Sequence, residues 1–341
     1  MSSCISACGA RGMVSRLAQL PTRILCKIGA APGLMRLRRG APVILMYHGV
    51  TADEGRGLVN HSGKHVNIDL FRRQLQMLSR CRRVAPLAVL VQALQRHEDV
   101  SGMVALTFDD GYLNNVECAA PVLIDLKLPA TFFLTTGFIG AARWAWVDRL
   151  EAALHAAAKG QFRISLLDER VQLDAMMQRV ELLRSIKVVL KRMSWDAAEA
   201  SVRELEAQLH VEPTEPWGIY RFMSWDHARQ LVGAGFEVGA HTVNHALLSR
   251  MPLAEAAHEI SASREHIVAE VGSCSATFCY PNGKRTDYTQ EVMEICRRQF
   301  TAALSTELGA ARSDELYELR RVPVDAATIE DRLASLVVQA A

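Results

Sequence analysis

Two short stretches hold residue types that could do chemistry: Thr107-Phe108-Asp109-Asp110-Gly111-Tyr112 and His241-Thr242-Val243-Asn244-His245. In the first, two carboxylates stand side by side where the apolar run Val104 to Phe108 gives way to a glycine turn. Neighbours leaving a strand point in different directions, so one carboxylate can face a cation while the other faces a substrate. By itself, Asp-Gly after a strand is ordinary turn chemistry. In the second stretch, two imidazoles four positions apart can converge on one metal if the chain coils after the predicted strand Phe236 to Ala240. Neutral imidazole suits zinc and other first-row divalent ions, and packed structural histidines are the competing reading. Together the two stretches say more. Both end predicted strands, the edge at which barrels and open α/β sheets assemble their sites. One carboxylate and two imidazoles make three protein ligands with a coordination position left open, the pattern of a catalytic metal site. The spare aspartate is then the natural base.

The elements that must position these residues read as an α/β pattern. From Pro42 onward, short apolar runs alternate with helix-patterned stretches, the signature of a parallel sheet wrapped by helices. The predicted strands are Val43 to Tyr47, Val104 to Phe108, Thr131 to Leu134, Phe236 to Ala240, Ala276 to Tyr280 and Phe300 to Leu304. Predicted helices include Asp69 to Ser79, with Leu70, Leu75 and Leu78 on one side, and Leu253 to Val271, opened by Pro252. The alternation stops between Trp144 and Tyr220, where apolar residues recur at helical spacing through Leu182, Leu183, Ile186, Val189 and Leu190. Residues 144–220 are therefore expected to form a helical insertion within a domain spanning 41–341.

Composition excludes several classes. Lys plus Arg number 39 against 37 Asp plus Glu, a net charge of +2 without the basic excess of a nucleic-acid binder. Eight cysteines lack zinc-ribbon spacing and are too dilute for a disulfide scaffold. There is no Gly-x-Ser-x-Gly elbow or Walker loop. The first forty residues carry Arg and Lys but no acid, and charges interrupt every apolar run, unlike a secretory signal. Residues 1–40 are read as a basic N-terminal segment, either a frayed tail or a peripheral membrane contact. The expected location is the cytoplasm, peripheral to the inner membrane face if that contact forms.

On these motifs the chain resembles the polysaccharide deacetylases of the NodB-homology type, carbohydrate esterase family 4. Thr107 to Gly111 matches their Thr-Phe-Asp-Asp-Gly motif, and His241 to His245 matches their His-Ser/Thr-x-x-His motif, in the right order. Met46-Tyr47-His48, Met223-Ser224-Trp225 and Phe278 to Gly283 extend the likeness, which spans roughly residues 42 to 325. The resemblance implies a distorted (β/α) barrel and a metal-dependent N-deacetylase acting on an N-acetylated sugar, oligosaccharide or lipid-linked glycan. It also implies Asp109 as base, Asp110, His241 and His245 as ligands of a divalent ion, with Zn2+ expected, and an oxyanion donor at a backbone N–H near Tyr280 to Asn282.

The chain departs from the family pattern at two places. Cys279 falls where many members carry the Arg of an Arg-x-Pro-Tyr motif, and Asn282 falls where they carry the Tyr. Arg320 or Arg321 is the candidate substitute for that charge, purely structural pairing of these arginines being the competing reading. The family's C-terminal Leu-x-His acid has no counterpart, since the last histidine is His266. His48, ending the first predicted strand, is the expected replacement acid, a core histidine being the alternative. His61 and His65 read as solvent-exposed loop residues, and Trp144, Trp146 and Asp148 as either a sugar-stacking wall or packing for the insertion. Two other functions stay open on sequence: a small-molecule amidohydrolase of the same fold, and a metal-holding but inactive glycan-binding module.

Overall fold

The structure, a computed structural model, describes residues 40–340 apart from 54 and 213, together with Gly33 and Met35. The expected basic segment 1–40 thus lies almost wholly outside the described residues. Strand β1 (Val43–Tyr47) is followed by a small parallel pair, β2 (Gly49–Thr51) and β3 (His65–Asn67). Helix α1 (Ile68–Cys81), the short β4 (Arg83–Val84) and α2 (Leu87–Gln95) lead to β5 (Met103–Phe108). A π-helical turn at Asn115–Ala119 runs into α3 (Ala120–Leu126), then β6 (Thr131–Leu134). Next come α4 (Trp146–Ala156), the antiparallel ribbon β7 (Gln161–Ile164) and β8 (Glu169–Gln172), α5 (Met176–Leu190) and α6 (Trp195–Gln208). The chain then resumes its alternation with α7 (Trp225–Gly233), β9 (Glu237–Ala240), α8 (Leu253–Val271), β10 (Thr277–Cys279) and α9 (Gln290–Gln299). It finishes with β11 (Ala302–Leu308), β12 (Leu319–Pro323) and α10 (Glu330–Ala340).

Strands β1, β5, β6, β9, β10, β11 and β12 pair in parallel in that order, and β12 returns to β1. The sheet is therefore a closed seven-stranded barrel, as the family resemblance implies. Six of these strands follow the predicted apolar runs. The seventh, β12, is not legible as one, because Arg320, Arg321 and Pro323 interrupt its apolar pattern.

Period-two alternation sorts the strand residues between two cores. Val43, Leu45, Tyr47, Val104, Leu106, Phe108, Phe132, Leu134, Val238 and Phe278 belong to the cluster shared with the surrounding helices. Ile44, Ala105, Phe133, Cys279, Leu304 and Leu319 belong to the second cluster, inside the barrel, which Leu87, Leu90, Val91 and Leu94 of α2 close from below. Gly239 takes an inward position because a Cβ there would lie 2.6 Å from the Phe133 ring that fills the barrel. Helix α1 has the apolar side its sequence predicts, with Leu70, Phe71, Leu75 and Leu78 buried, and Asn67 caps it by accepting from the N–H groups of Asp69 and Leu70.

The region between β6 and β9 has a core of its own, in which Leu150 and Leu154 of α4 meet Leu183, Ile186 and Leu190 of α5 and Val202 and Leu205 of α6. It is not purely helical, since it contains the β7–β8 ribbon. Buried Arg179 fixes α5 against α4 by donating to the carbonyls of Leu154 and Ala157, both at 2.7 Å, and of Leu173 at 2.9 Å. Leu58 reaches into this core from the loop between β2 and β3, and Lys64 in the same loop pairs with Asp148 of α4 at 2.5 Å. These contacts dock the insertion on the barrel rim.

Candidate active site

The inward parity of Ala105 and Thr107 continues to Asp109, which places its carboxylate over the barrel mouth, 2% exposed. Arg321, inward-facing on β12 and fully buried, donates from Nη1 to Oδ1 and from Nη2 to Oδ2 of Asp109, both at 2.8 Å. Its remaining donors go to the Ser305 carbonyl at 2.8 Å, Thr107 Oγ1 at 3.2 Å and Cys279 Sγ at 3.2 Å. A buried guanidinium is tolerable only when its charge and its donors are matched in this way. Burial alone would raise the pKa of Asp109, but the Arg321 charge outweighs it and holds the group below its ordinary value. Of the two expected substitutes for the missing family arginine, Arg321 is therefore the one that meets Asp109. Arg320 points away and pairs with Glu315 at 2.9 and 3.0 Å.

Asp110 has φ 76°, a left-handed turn that swings its carboxylate off the barrel axis toward β9. Its Oδ1 lies 3.5 Å from His241 Nε2 and 3.3 Å from His245 Nε2, buried and without a hydrogen bond. One ligand atom from each of Asp110, His241 and His245 falls within 4.8 Å of the others. An orphaned buried carboxylate oxygen facing two imidazole nitrogens is the donor set of a divalent cation. His241 Nδ1 lies 2.8 Å from the Cys279 carbonyl oxygen. That oxygen can only accept, so Nδ1 carries the proton and Nε2 keeps a lone pair for the cation. Burial opposes charge on Asp110, but His241 and His245 more than offset it and its pKa lies well below the ordinary value. Burial brings His245 down to about 4. A second buried group, Asp109, His241 and Cys279, is also compact, but Arg321 already occupies its carboxylate and its thiol.

The segment carrying His245 is held by residues the motif alone does not explain. Thr242 Oγ1 accepts from the His245 N–H at 3.0 Å, a side-chain turn that coils the chain back toward Asp110. Glu259 of α8 accepts from the N–H groups of Val243 and Asn244 at 2.9 and 2.8 Å. Gly137 N–H donates to the Val243 carbonyl at 2.8 Å, and a Cβ at Gly137 would sit 2.7 Å from that oxygen. Sequence reading missed Glu259, for which a lone Glu in a long helix gives no signal.

Asp109, Asp110, His48, His241, His245 and Asn282 share one cleft of about 450 Å3, within the usual range for small-ligand sites. His48 follows β1 and lines this cleft, partly exposed. Burial lowers its pKa below the ordinary imidazole value, against the pull of Asp110 and Asp109. The expected oxyanion donors need correction at Tyr280. Its N–H already donates to the Leu304 carbonyl at 3.1 Å, its ring stacks on Tyr288 at 3.9 Å between centroids, and its hydroxyl donates to the Tyr317 carbonyl. Pro281 has no N–H, so Asn282, at φ 57°, is the residue of that loop whose backbone N–H has no protein acceptor among the described residues.

His65 also departs from expectation. It is buried rather than solvent-exposed, with Nδ1 2.9 Å from Asn114 Nδ2 and its ring edge-on to Tyr112, whereas His61 is exposed. The tryptophans divide: Trp144 is buried against Tyr220 and donates to the Thr214 carbonyl at 2.6 Å, while Trp146 lines the cleft opposite the barrel rim with Trp195. Asp148 takes the packing role, since it accepts from Lys64 and, at 2.7 Å, from the Tyr112 hydroxyl and so ties the insertion to the barrel.

Barrel and site together define a metal-assisted hydrolase. Residues 96–300 match the family model for polysaccharide deacetylase, and the chain belongs to that family, whose members remove N-acetyl groups from glycans and use a divalent metal. Among solved structures, IcaB from Ammonifex degensii is similar at a TM-score of 0.57 and 19% identity, covering 88% of this chain and 98% of its own. The deacetylase PplD of Streptococcus pyogenes, solved with acetate, gives 0.56 and 18%, covering 86% and 96%. A de-N-acetylase from Aggregatibacter actinomycetemcomitans gives 0.51 and 13%, covering 86% and 99%. These likenesses reflect a shared fold. No curated protein sequence matches the chain.

Proposed function

We propose that this deacetylase loads zinc at Asp110, His241 and His245 and cleaves the acetamide of an amino sugar carried on an oligosaccharide or a lipid. The observation that carries this reading is a carboxylate, Asp109, gripped by Arg321 at two 2.8 Å contacts beside the ligand cluster and open to the same cleft. A bound zinc would supply Lewis acidity toward the acetyl carbonyl and would lower the pKa of water. Arg321 keeps Asp109 ionised and oriented, so that its carboxylate takes the proton from the attacking water. The Asn282 N–H faces the oxyanion as it forms, a donor of a kind worth about 3 kcal/mol. His48 gives its proton to the departing amine, a step that typically accelerates such reactions by about 100 to 10,000-fold. Trp146 offers a flat apolar face for the sugar ring.

The inactive-module alternative rests on the missing motif arginine and the missing C-terminal histidine; Arg321 gives the base a cation from another strand, which speaks against the first ground, and His48 in the same cleft is the proposed replacement for the second. We further propose that residues 1–40, basic and without acid, bring the chain to an anionic membrane surface at the inner face. No described helix is long and apolar enough to cross a membrane.

The test is acetate release from N-acetylglucosamine oligomers and from a lipid-linked N-acetylated sugar, with chelator and then with zinc restored. Release that stops on chelation and returns with zinc supports the reading. Release indifferent to chelator removes the metal role, and release only from small non-sugar amides favours the amidohydrolase.

A further inference from the structure

The cleft wall opposite the metal ligands is built by the insertion, and it carries two ammonium groups with no ion-pair partner among the described residues. Lys187 and Lys191 stand one turn apart at the end of α5, and both line the cleft. Neither ammonium group forms a hydrogen bond or ion pair among the described residues. The other two lysines of the cleft are engaged: Lys64 with Asp148 at 2.5 Å, and Lys284 with Glu307 at 3.9 Å and the Thr306 carbonyl at 3.3 Å. The two acids that attract Lys187 do so without pairing with it: Asp148 is engaged by Lys64 and Tyr112, and Glu151 accepts from the neutral Tyr220 hydroxyl at 2.7 Å and keeps its charge.

Lysines at a helix C-terminus are favoured by the helix dipole, which accounts for the exposed Lys191. It does not account for the partly buried Lys187. Like charges four apart on a helix repel, and burial lowers the Lys187 pKa, with Lys64 and Lys191 pushing in the same direction against Glu151 and Asp148. A position that disfavours an ammonium in the empty cleft favours it once an anion arrives. Arg179, bound to the carbonyls at the end of α4, fixes α5 so that the two ammonium groups stay on this wall.

We infer that Lys187 and Lys191 form a phosphate subsite, and that the preferred substrate bears a phosphate or pyrophosphate ester next to its N-acetylated sugar. The inference rests on the deacetylase reading and adds the substrate's charge. Two ammonium groups without a guanidinium suit a tetrahedral, multiply charged group better than a planar carboxylate, which arginine forks recognise.

The test compares kcat/KM for acetate release by the full chain from N-acetylglucosamine 1-phosphate, its neutral methyl glycoside, and a disaccharide of N-acetylglucosamine with glucuronic acid. The expected result is at least a tenfold preference for the phosphate over both others, lost in K187Q/K191Q, with K187R/K191R keeping the preference over the neutral methyl glycoside. Equal turnover of all three by the wild type, or a preference unchanged in K187Q/K191Q, overturns the subsite and leaves the deacetylase reading standing. A preference for the glucuronic acid substrate overturns phosphate as the ligand. Calorimetric binding of N-acetylglucosamine 1-phosphate separates the two claims. If no substrate releases acetate but this ligand binds the wild type and binds at least tenfold more weakly to K187Q/K191Q, the subsite stands and the deacetylase reading fails. If it binds both equally or neither, the subsite fails.

Discussion

The barrel rim and the insertion wall face each other across one cleft, and they treat charge in opposite ways. On the rim, Asp109 and Arg321 are buried and matched donor to acceptor, and Asp110 is ringed by two imidazoles. On the wall, Lys187 and Lys191 face the cleft unpaired beside Trp146 and Trp195. Chemistry needs groups held in one geometry before the substrate arrives. Recognition needs groups whose partners the substrate brings. The rim is thus built to carry the reaction, and the insertion to choose what is brought to it.

Substitutions on the rim should therefore lower kcat or abolish metal binding, and substitutions on the wall should act on KM. The largest effect is expected from Asp109→Asn beside His241→Ala. Asp109→Asn is expected to retain metal and lose about 100 to 10,000-fold in kcat, and His241→Ala to lose metal and turnover together, as read by metal analysis and acetate release. An Asp109→Asn enzyme with full turnover would remove the base from the rim.

Arg321→Met comes next. It leaves Asp109 buried and unpaired, for which about 3–5 kcal/mol of lost stability is expected in urea unfolding at neutral pH. The sign of its pH dependence follows from the Asp109 pKa, which is depressed below the ordinary 3.8 in the folded protein. The stabilisation is present above that value and fades as pH falls through the folded one, so the gap between wild type and variant should narrow in acid. A gap independent of pH would mean that Arg321 packs rather than pairs.

Glu259→Gln should weaken the metal site without touching a ligand, because the side chain that accepts from Val243 and Asn244 loses its charge. A drop of about 10 to 100-fold in zinc affinity is expected for such an outer contact. Trp146→Ala, on the wall, should raise KM by about 3 to 10-fold, the worth of one aromatic face, with kcat held. A fall in kcat at constant KM would place Trp146 with the chemistry and blur the division between the two regions.

How much of this is legible in sequence follows from how each residue announces itself. Short apolar runs bounded by turns mark six barrel strands, and paired motifs mark Asp109, Asp110, His241 and His245. Strand β12 is silent because the feature that makes it functional, a buried Arg321, also breaks its apolar pattern. Glu259 and Lys187 read as ordinary charged positions on helices, since their meaning lies in what faces them from other elements. The family motif implies an oxyanion donor only somewhere from Tyr280 to Asn282; parallel pairing with β11 consumes the Tyr280 N–H, a fact that only strand register reveals.

Asp110, His241 and His245 are expected to close around one divalent cation while Asp109, held by Arg321, stays outside its ligand set. Calorimetric zinc titration of the metal-stripped full chain tests it most directly. One equivalent should bind to the wild type and to Asp109→Asn, and none to Asp110→Ala or His241→Ala. Unchanged stoichiometry in those last two variants, or its loss in Asp109→Asn, would contradict it.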